Sequence, residues 1–277
     1  MPPTIKIPIA QLERRKGVDM PVLRRESAAR AASKILHEPA YILHSQPYSE
    51  TSLLLDVFTR HHGRISVLAK GAKRPYTQWR ASTFQTFQTL SIGYTGKSPV
   101  KTLLDLEWVG GIPMLQGAAL MAGYYMNEWM RRALASDDPH PLLFDVYQHS
   151  LADLSLSTVA EHAAALRGFE LALLRELGYG VPLNVAHGSI VPDARYGLTA
   201  SAHEWVHVDA AQAADGMQVI HGQTLLDLQN NQFHTAQTAL ESKHLLRFLL
   251  HHHIGERPLH TRNLLIELHQ LHHLGSL

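Results

Sequence analysis

The sequence predicts an α+β protein in which a small five-stranded β-barrel precedes a mostly α-helical domain. Short β-rich runs separated by Gly/Pro turns fill residues 38–110, and apolar residues recur at helical spacings beyond residue 111. The length of 277 residues agrees, because domains average roughly 150 residues. We therefore expect a flexible basic arm over residues 1–37, a barrel over 38–110 and a helical domain over 111–277.

Five runs predict the strands of the barrel. A tight turn at 61–63 and a Gly/Pro turn at 95–99 separate two pairs of them. Five short strands in about 70 residues suit a small closed barrel. The runs are residues 41–44, 51–59, 64–69, 84–94 and 100–108.

The helical domain begins with a long, mostly buried helix over 115–134 and a shorter one ending near Leu154. Thr158 and Glu161 form a capping-box signature for a third helix, which Gly178 ends. Leucines mark further helices over 236–250 and 264–271. A loop and a β-hairpin, with strands near 196–199 and 205–208, are expected as an insertion at about 183–222.

Charge is distributed unevenly along the chain. The formal net charge is +1, but residues 1–38 carry +4, residues 39–108 carry +4 and residues 109–277 carry −7. A basic half of this kind favours a polyanionic partner. The basic arm allows three interpretations: a solvated arm, residues upstream of a true start at Met20, or a segment that contacts DNA.

Several classes of function are excluded. The chain has no cysteine, which rules out disulfide scaffolds, cysteine-ligated clusters and thiol catalysis. The phosphate-binding patterns G-x-x-x-x-G-K-[ST] and G-x-G-x-x-G do not occur. The uncharged stretch over 108–127 contains Pro113, Gln116 and four glycines, so it predicts a buried helix and no membrane span.

A basic loop of the barrel is the candidate DNA-binding site. Its cations are interleaved with aromatic residues, and single-stranded nucleic acid needs cations for phosphates and flat rings for bases. A solvated loop whose aromatic residues pack inward is an equal alternative, and Trp79 in particular either stacks on bases or packs in the core. The candidates are Lys70, Lys73, Arg74, Arg80 and Trp79, with Arg64 and Lys101 as additional cations.

Two histidine patterns resemble metal sites. His203-Glu204-Trp205-Val206-His207 matches H-E-x-x-H, a zinc-hydrolase motif that requires a helix, whereas this stretch has strand character. His251, His252 and His253 fan out around a helix and cannot all bind one ion. We expect no metal, no cofactor and no catalytic residue, with a zinc hydrolase as the alternative.

The residues of both predicted domains resemble the RecO family of recombination mediators. The matching segments occur in order over residues 40–270. Thr86 stands where proline is usual in the family's Gln-Pro-Phe element. The segments are residues 40–44, 48–52, 58–59, 63–64, 69–72, 84–87, 124–132, 169–170, 177–179 and 258–265.

This resemblance implies an OB-fold barrel and a non-enzymatic role in DNA repair. It implies binding of single- and double-stranded DNA, annealing of complementary strands, and help in loading recombinase onto DNA coated by single-strand-binding protein. RecR is an implied partner, and the implied location is cytoplasmic and nucleoid-associated. Many family members carry a four-cysteine zinc site that this chain lacks, so the 183–221 region must be held without zinc.

The resemblance also implies a docking site for the acidic C-terminal tail of single-strand-binding protein. Such a tail needs an apolar pocket flanked by guanidinium groups. Arg131 and Arg132 are the one adjacent basic pair in residues 109–277, and with Tyr124 they are the predicted tail site. The alternative is that both arginines cap the helix C-terminus, and a scaffold whose barrel binds protein is a further functional alternative.

Overall fold

The barrel is closed by five strands in the order β1-β2-β3-β5-β4, with β3 and β5 parallel and the other neighbours antiparallel. The computed structural model describes residues 34–75, 81–158, 161–182, 185, 189–198, 204–208, 217–255 and 257–264. This strand order defines an OB-fold. The strands are β1 Lys34–Tyr48, β2 Ser52–Thr59, β3 Gly63–Ala69, β4 Leu90–Thr95 and β5 Val100–Trp108.

Alternation along β1 gives the barrel two packed faces. Ala40 and Ile42 point into the barrel interior, where they join Val57 and the other residues of a separate core. Tyr41 and Leu43 point outward into the larger core that the helices share. Because successive strand residues face opposite sides, one short sequence serves both cores.

Two strand predictions need correction. The run over 84–94 is a strand only from Leu90 onward, and Ala81–Phe84 form a 3-10 turn. Phe87 has a φ of 68°, which interrupts an extended chain, and its buried ring packs edge-on against Tyr124 of the first long helix at 5.1 Å. Packing against that helix therefore replaces pairing within the barrel. At the other end, β1 begins at Lys34, ahead of the boundary expected at residue 38.

Five helices follow the barrel within the part of the chain that the structure describes. They are α1 Gly117–Ala133, α2 Pro141–Leu156, α3 His162–Glu176, α4 Gly222–Gln229 and α5 Ala236–Ile254. The predicted capping box forms only in part. The Glu161 carboxylate accepts the Thr158 backbone N–H at 2.8 Å and the Thr158 hydroxyl at 2.9 Å, but α3 begins at His162 with Glu161 as its N-cap, and no side-chain cap bond is made within the described residues. A further helical turn occupies residues 260–264, and the rest of the predicted last helix lies outside the described residues.

The predicted insertion forms a three-stranded antiparallel sheet instead of a hairpin alone. Its strands are β6 Arg195–Leu198, β7 Trp205–His207 and β8 Gln218–His221, with β6 in the centre. The third strand leads directly into α4, and neither element was predicted. Trp205 is fully buried and its indole N–H donates to the Pro182 carbonyl at 2.7 Å.

A hydrogen-bonded cluster around the single carboxylate of Glu241, which we call the Glu241 cluster, joins this sheet to α5. Glu241 accepts from the His221 backbone N–H at 3.0 Å, from the Thr224 hydroxyl at 2.5 Å, and bonds to His221 Nδ1 at 2.6 Å. Burial alone would raise the pKa of Glu241, but these hydrogen bonds outweigh it and lower the pKa below its ordinary value. The sheet and the adjoining helix are thus held by side chains of the chain itself.

Candidate nucleic-acid interface

Three cations project from the loop that follows β3. Lys70, Lys73 and Arg74 are all exposed, and none of them pairs with a carboxylate within the described residues. Backbone hydrogen bonds fix the loop, since Lys73 N–H donates to Thr51 O at 2.9 Å and Arg74 N–H to Gly71 O at 3.0 Å. In the described part of the loop, over residues 70–75, all three cations therefore face solvent.

The other two predicted cations in the described barrel are engaged within the chain. Arg64 lies 3.8 Å from Asp56 and donates to the carbonyl of Arg131. Lys101 is 9% exposed, and its ammonium pairs with Asp137 at 2.8 Å and donates to Ser98 O at 3.1 Å. Their charges are neutralised in place. Among the exposed barrel cations that pair with no carboxylate within the described residues, three lie together on the basic loop, whereas Lys34 and Lys97 lie singly elsewhere. Trp79 and Arg80 lie outside the described residues.

Tyr124, Arg131 and Arg132 line one groove of about 740 Å³ beside α1. Tyr124 is 41% exposed. Arg131 Nε donates to Asp56 at 3.0 Å, whereas Arg132 donates to the carbonyls of Arg257 and Pro258 at 2.6 and 2.8 Å. The predicted residues therefore come together, but both guanidinium groups are already hydrogen-bonded to the protein.

Glu128 anchors the C-terminal segment in the same groove. Its carboxylate accepts the backbone N–H groups of His260 and Thr261 at 2.8 and 3.0 Å, and it also pairs with Arg132 at 2.5 Å. These bonds outweigh the opposing effect of burial and lower the pKa of Glu128. Arg132 and Glu128 thus act together to hold the helical turn at 260–264 against α1.

A second cavity, which the sequence analysis missed, lies between α1, α3 and α5. It encloses about 440 Å³. Its floor includes Trp129 and Leu259, and cations surround it. The sequence contains no local pattern for this cavity, because its cations lie far apart in the chain, on α3, on α5 and in the helical turn at 260–264. The cationic residues in its lining are Arg167, Lys243, Arg247 and Arg262, with His162 beside them.

Several buried polar atoms of this apolar pocket have no partner within the described residues: both ring nitrogens of His162 and Nε of Arg167. Arg167 also donates to Glu170 at 2.7 Å. Glu170 is fully buried, and burial raises its pKa although Arg167 and Tyr125 act in the opposite direction. Unpaired buried donors are costly, so the pocket is suited to an anionic group.

The described residues of the H-E-x-x-H match, 204–207, do not form a helix. Glu204 is exposed and His207 lies on β7, where its ring packs edge-on against Tyr196 at 5.8 Å. His203 lies outside the described residues. Among the residues with described positions, no three His, Asp or Glu side chains are grouped as metal ligands. In the same part of the chain, every helix is too short or too polar to cross a membrane.

Barrel, basic loop and helical bundle together define an OB-fold protein with a C-terminal helical domain and a surface suited to polyanions. Residues 34–112 match the family described as Recombination protein O N terminal, and residues 114–263 match Recombination protein O C terminal. The chain therefore belongs to the RecO family of DNA repair proteins.

Individual relatives cover almost the whole chain. DNA repair protein RecO of Burkholderia pseudomallei (strain 1710b) is 43% identical over 273 residues, which is 98% of this chain and 95% of the relative. The protein of the same name from Ralstonia nicotianae is 44% identical over 88% of this chain and 89% of its own. That of Aromatoleum aromaticum is 42% identical over 86% and 98%. The family resemblance in the sequence is thus confirmed.

Proposed function

We propose that this protein is a non-enzymatic recombination mediator that binds single- and double-stranded DNA through its barrel. It anneals complementary strands and assists the loading of recombinase onto DNA coated by single-strand-binding protein. The observation that carries the proposal is the set of three exposed cations, Lys70, Lys73 and Arg74, that follow β3 of an OB-fold and pair with no carboxylate within the described residues. Family membership supports it.

Annealing follows from the kind of contact that this loop offers. Lysine and arginine side chains bind phosphates, which screens the repulsion between two strands and releases counterions. Contacts to phosphates leave the base edges free to find their complement. Neither step requires a bond to be broken by the protein, so no catalytic group is assigned.

We place the tail of single-strand-binding protein in the apolar pocket between α1, α3 and α5. An acidic peptide with an apolar last residue and a free carboxylate needs both an apolar cavity and cations without partners. The apolar pocket offers both, since Lys243 and Arg262 in its lining are exposed and pair with no carboxylate within the described residues. Arg167 is already paired with Glu170 at 2.7 Å. The groove with Tyr124, Arg131 and Arg132 is the rival site, but its guanidinium groups are engaged.

The proposal includes RecR as a protein partner and a cytoplasmic, nucleoid-associated location. Both rest on membership of the family and on no particular contact in the structure. The alternative enzyme, a zinc hydrolase using His203, Glu204 and His207, has no support from the strand that carries His207. A stoichiometric amount of zinc in the purified full chain would support the zinc-hydrolase alternative.

The experiment is the salt dependence of oligonucleotide binding by the full chain. K73A/R74A should weaken binding to all sequences alike and reduce the slope of log K against log salt by about one to two, at ~0.7 per phosphate contact. R195A, which removes an exposed cation from β6 of the helical domain, should leave the slope unchanged. An unaltered slope in K73A/R74A would move the DNA site elsewhere, and unaltered annealing would refute the mechanism.

A further inference from the structure

One face of α5 presents a row of imidazole and guanidinium groups to a shallow groove. His244, Arg247, His251 and His252 line it together with Phe248, and the groove encloses about 360 Å³. These positions are three or four residues apart or one turn further on, so they share one face of the helix. Gln218 at the start of β8 closes the side of the groove. We call this surface the histidine groove.

The imidazoles are positioned by ring contacts and not by hydrogen bonds. The His252 ring stacks on Phe248 with centroids 5.8 Å apart, and His251 packs edge-on against Trp129 at 5.6 Å. His244 and His252 are exposed. Within the described residues, none of the three bonds to another side chain or carbonyl through a ring nitrogen. Their N–H groups are therefore available to a ligand.

Acidic groups around α5 are turned away from the groove or committed elsewhere. Glu241, one turn before His244, is held by His221 of β8 and Thr224 of α4. Asp227 of α4 accepts from Gln223 and from the Thr238 hydroxyl. On α3, Glu170 is buried in an ion pair with Arg167. From α1, the uncharged ring of Trp129 contacts His251. Within the described residues no carboxylate lines the groove, so the field of its described lining is positive whenever the imidazoles are protonated.

We propose that the histidine groove binds the phosphodiester backbone of nucleic acid and that protonation of its histidines strengthens this binding. Histidine is the side chain that changes charge between about pH 5 and 8. The seven residue steps from His244 to His251 span about 10 Å of helix, which is the length of roughly three phosphates of one strand. The proposal extends the proposed function from the barrel to the helical domain.

The lining favours a phosphate backbone over an acidic peptide. A tail with an apolar last residue needs apolar surface, whereas the only large apolar ring in this lining, Phe248, is already covered by His252. A phosphodiester needs donors alone, and protonated imidazole and guanidinium groups supply them. The apolar pocket on the other side of Arg247 takes the peptide in our assignment, and the histidine groove takes DNA.

The test is the salt slope of binding to a labelled oligothymidylate at about pH 6 and about pH 8, which bracket the histidine range. For the full chain we expect a slope steeper by about one to two at the lower pH, at ~0.7 per added phosphate contact. H244Q/H252Q should lose most of that difference, whereas H149Q, which alters an exposed histidine of α2, should keep it. H244R/H252R should show the steep slope at both pH values.

Other outcomes separate this proposal from the proposed function. In K73A/R74A the difference in salt slope between the two pH values should persist, although the slope at the higher pH falls. The barrel site and the histidine groove can therefore be refuted independently. Equal slopes at both pH values in the parent, or a full increment in H244Q/H252Q, would overturn the histidine groove. An increment that appears with an acidic peptide and not with the oligonucleotide would also overturn it and assign the surface to protein.

Discussion

Asn127 of α1 donates its side-chain amide to the carbonyl of Leu43 in β1 at 3.0 Å, in a position that is 2% exposed. The Asn127 carbonyl oxygen in turn accepts the Tyr147 hydroxyl of α2 at 2.6 Å. One side chain therefore satisfies polar groups of the barrel and of two helices at the place where Tyr41 and Phe58 pack against Phe144. The barrel and the helices are joined by a buried, hydrogen-bonded contact.

Replacing this residue should weaken both parts of the protein together. Asn127→Leu leaves a carbonyl and a hydroxyl buried without partners, which costs about 2 to 4 kcal/mol of unfolding free energy. Urea denaturation followed by far-UV circular dichroism and by tryptophan fluorescence should show one shifted transition. Asn230→Leu, at an exposed position after α4, should cost less than about 1 kcal/mol. Separate transitions for barrel and helices would contradict the coupling.

Two glycines with similar backbone angles should respond differently to alanine. Gly63 and Gly71 have φ values of 68° and 70°. A Cβ on Gly63 would lie 1.9 Å from the carbonyl oxygen of Asp138, whereas one on Gly71 would meet only Arg74 Cδ at 3.4 Å. We expect Gly71→Ala to cost about 1 to 2 kcal/mol from its backbone conformation and Gly63→Ala about 3 kcal/mol or more. Thermal or urea unfolding measures both, and equal losses would refute the steric account.

Lys101 provides a test of which cations of the barrel reach DNA. Its pairing with Asp137 and Ser98 leads us to expect that Lys101→Ala leaves the salt slope of oligonucleotide binding unchanged. Lys73→Ala should reduce the slope by about 0.7, the value for one phosphate contact. Filter binding or fluorescence anisotropy over a salt series measures both variants. If Lys101→Ala reduces the slope as much as Lys73→Ala does, the ion pair opens when DNA binds.

Tail docking should depend on the rim of the apolar pocket. Lys243→Ala and Arg262→Ala each remove an exposed cation. Each should raise the Kd of a labelled acidic peptide with a free C-terminus by about fivefold to tenfold, or roughly 1 to 1.4 kcal/mol. Arg131→Ala and Arg132→Ala should bind as tightly as the parent. A peptide with an amidated C-terminus serves as the ligand control. The opposite pattern would return the tail to the groove beside Tyr124.

The Glu241 cluster predicts a loss of stability in acid. Its pKa is lowered in the folded protein, so the unfolded chain takes up its proton first as pH falls. The stabilisation is therefore complete above the ordinary value of 4.5 and is lost as pH drops through the lower folded-state pKa. Glu241→Gln should lose about 1 to 3 kcal/mol near neutral pH and show a smaller further loss in acid. Asp153→Asn, at an exposed site of α2, should retain the parent's pH dependence, as measured by urea midpoints.

The sequence predicted the elements whose pattern is local. Alternation located β2, β3 and β5 well, and helical spacing located α1, α3 and α5. The strand expected over 84–94 failed because a long-range contact, Phe87 against α1, decides the conformation there. β8 and α4 were missed because their apolar runs are too short to predict a strand or a helix alone. Both elements depend on tertiary contacts with β6 and Glu241.

The candidate site was predicted by residue type but not by pairing. Sequence identifies Lys70, Lys73 and Lys101 equally well as cations, and only the fold reveals that Asp137 neutralises the last of them. In the same way, adjacency made Arg131 and Arg132 conspicuous, whereas the apolar pocket draws its cations from residues far apart in the chain. Charge can be counted from a sequence, but its availability depends on tertiary neighbours.

The carboxylate that joins the small sheet to α5 also determines which chemical conditions this part of the protein senses. The chain has no thiol to oxidise, and His221, Thr224 and Glu241 hold the sheet through hydrogen bonds. Thiol oxidation therefore cannot loosen the junction between the small sheet and α5. Acidification does act on it, because a proton on Glu241 removes the negative charge on which the hydrogen bonds from His221, Thr224 and Gln237 converge.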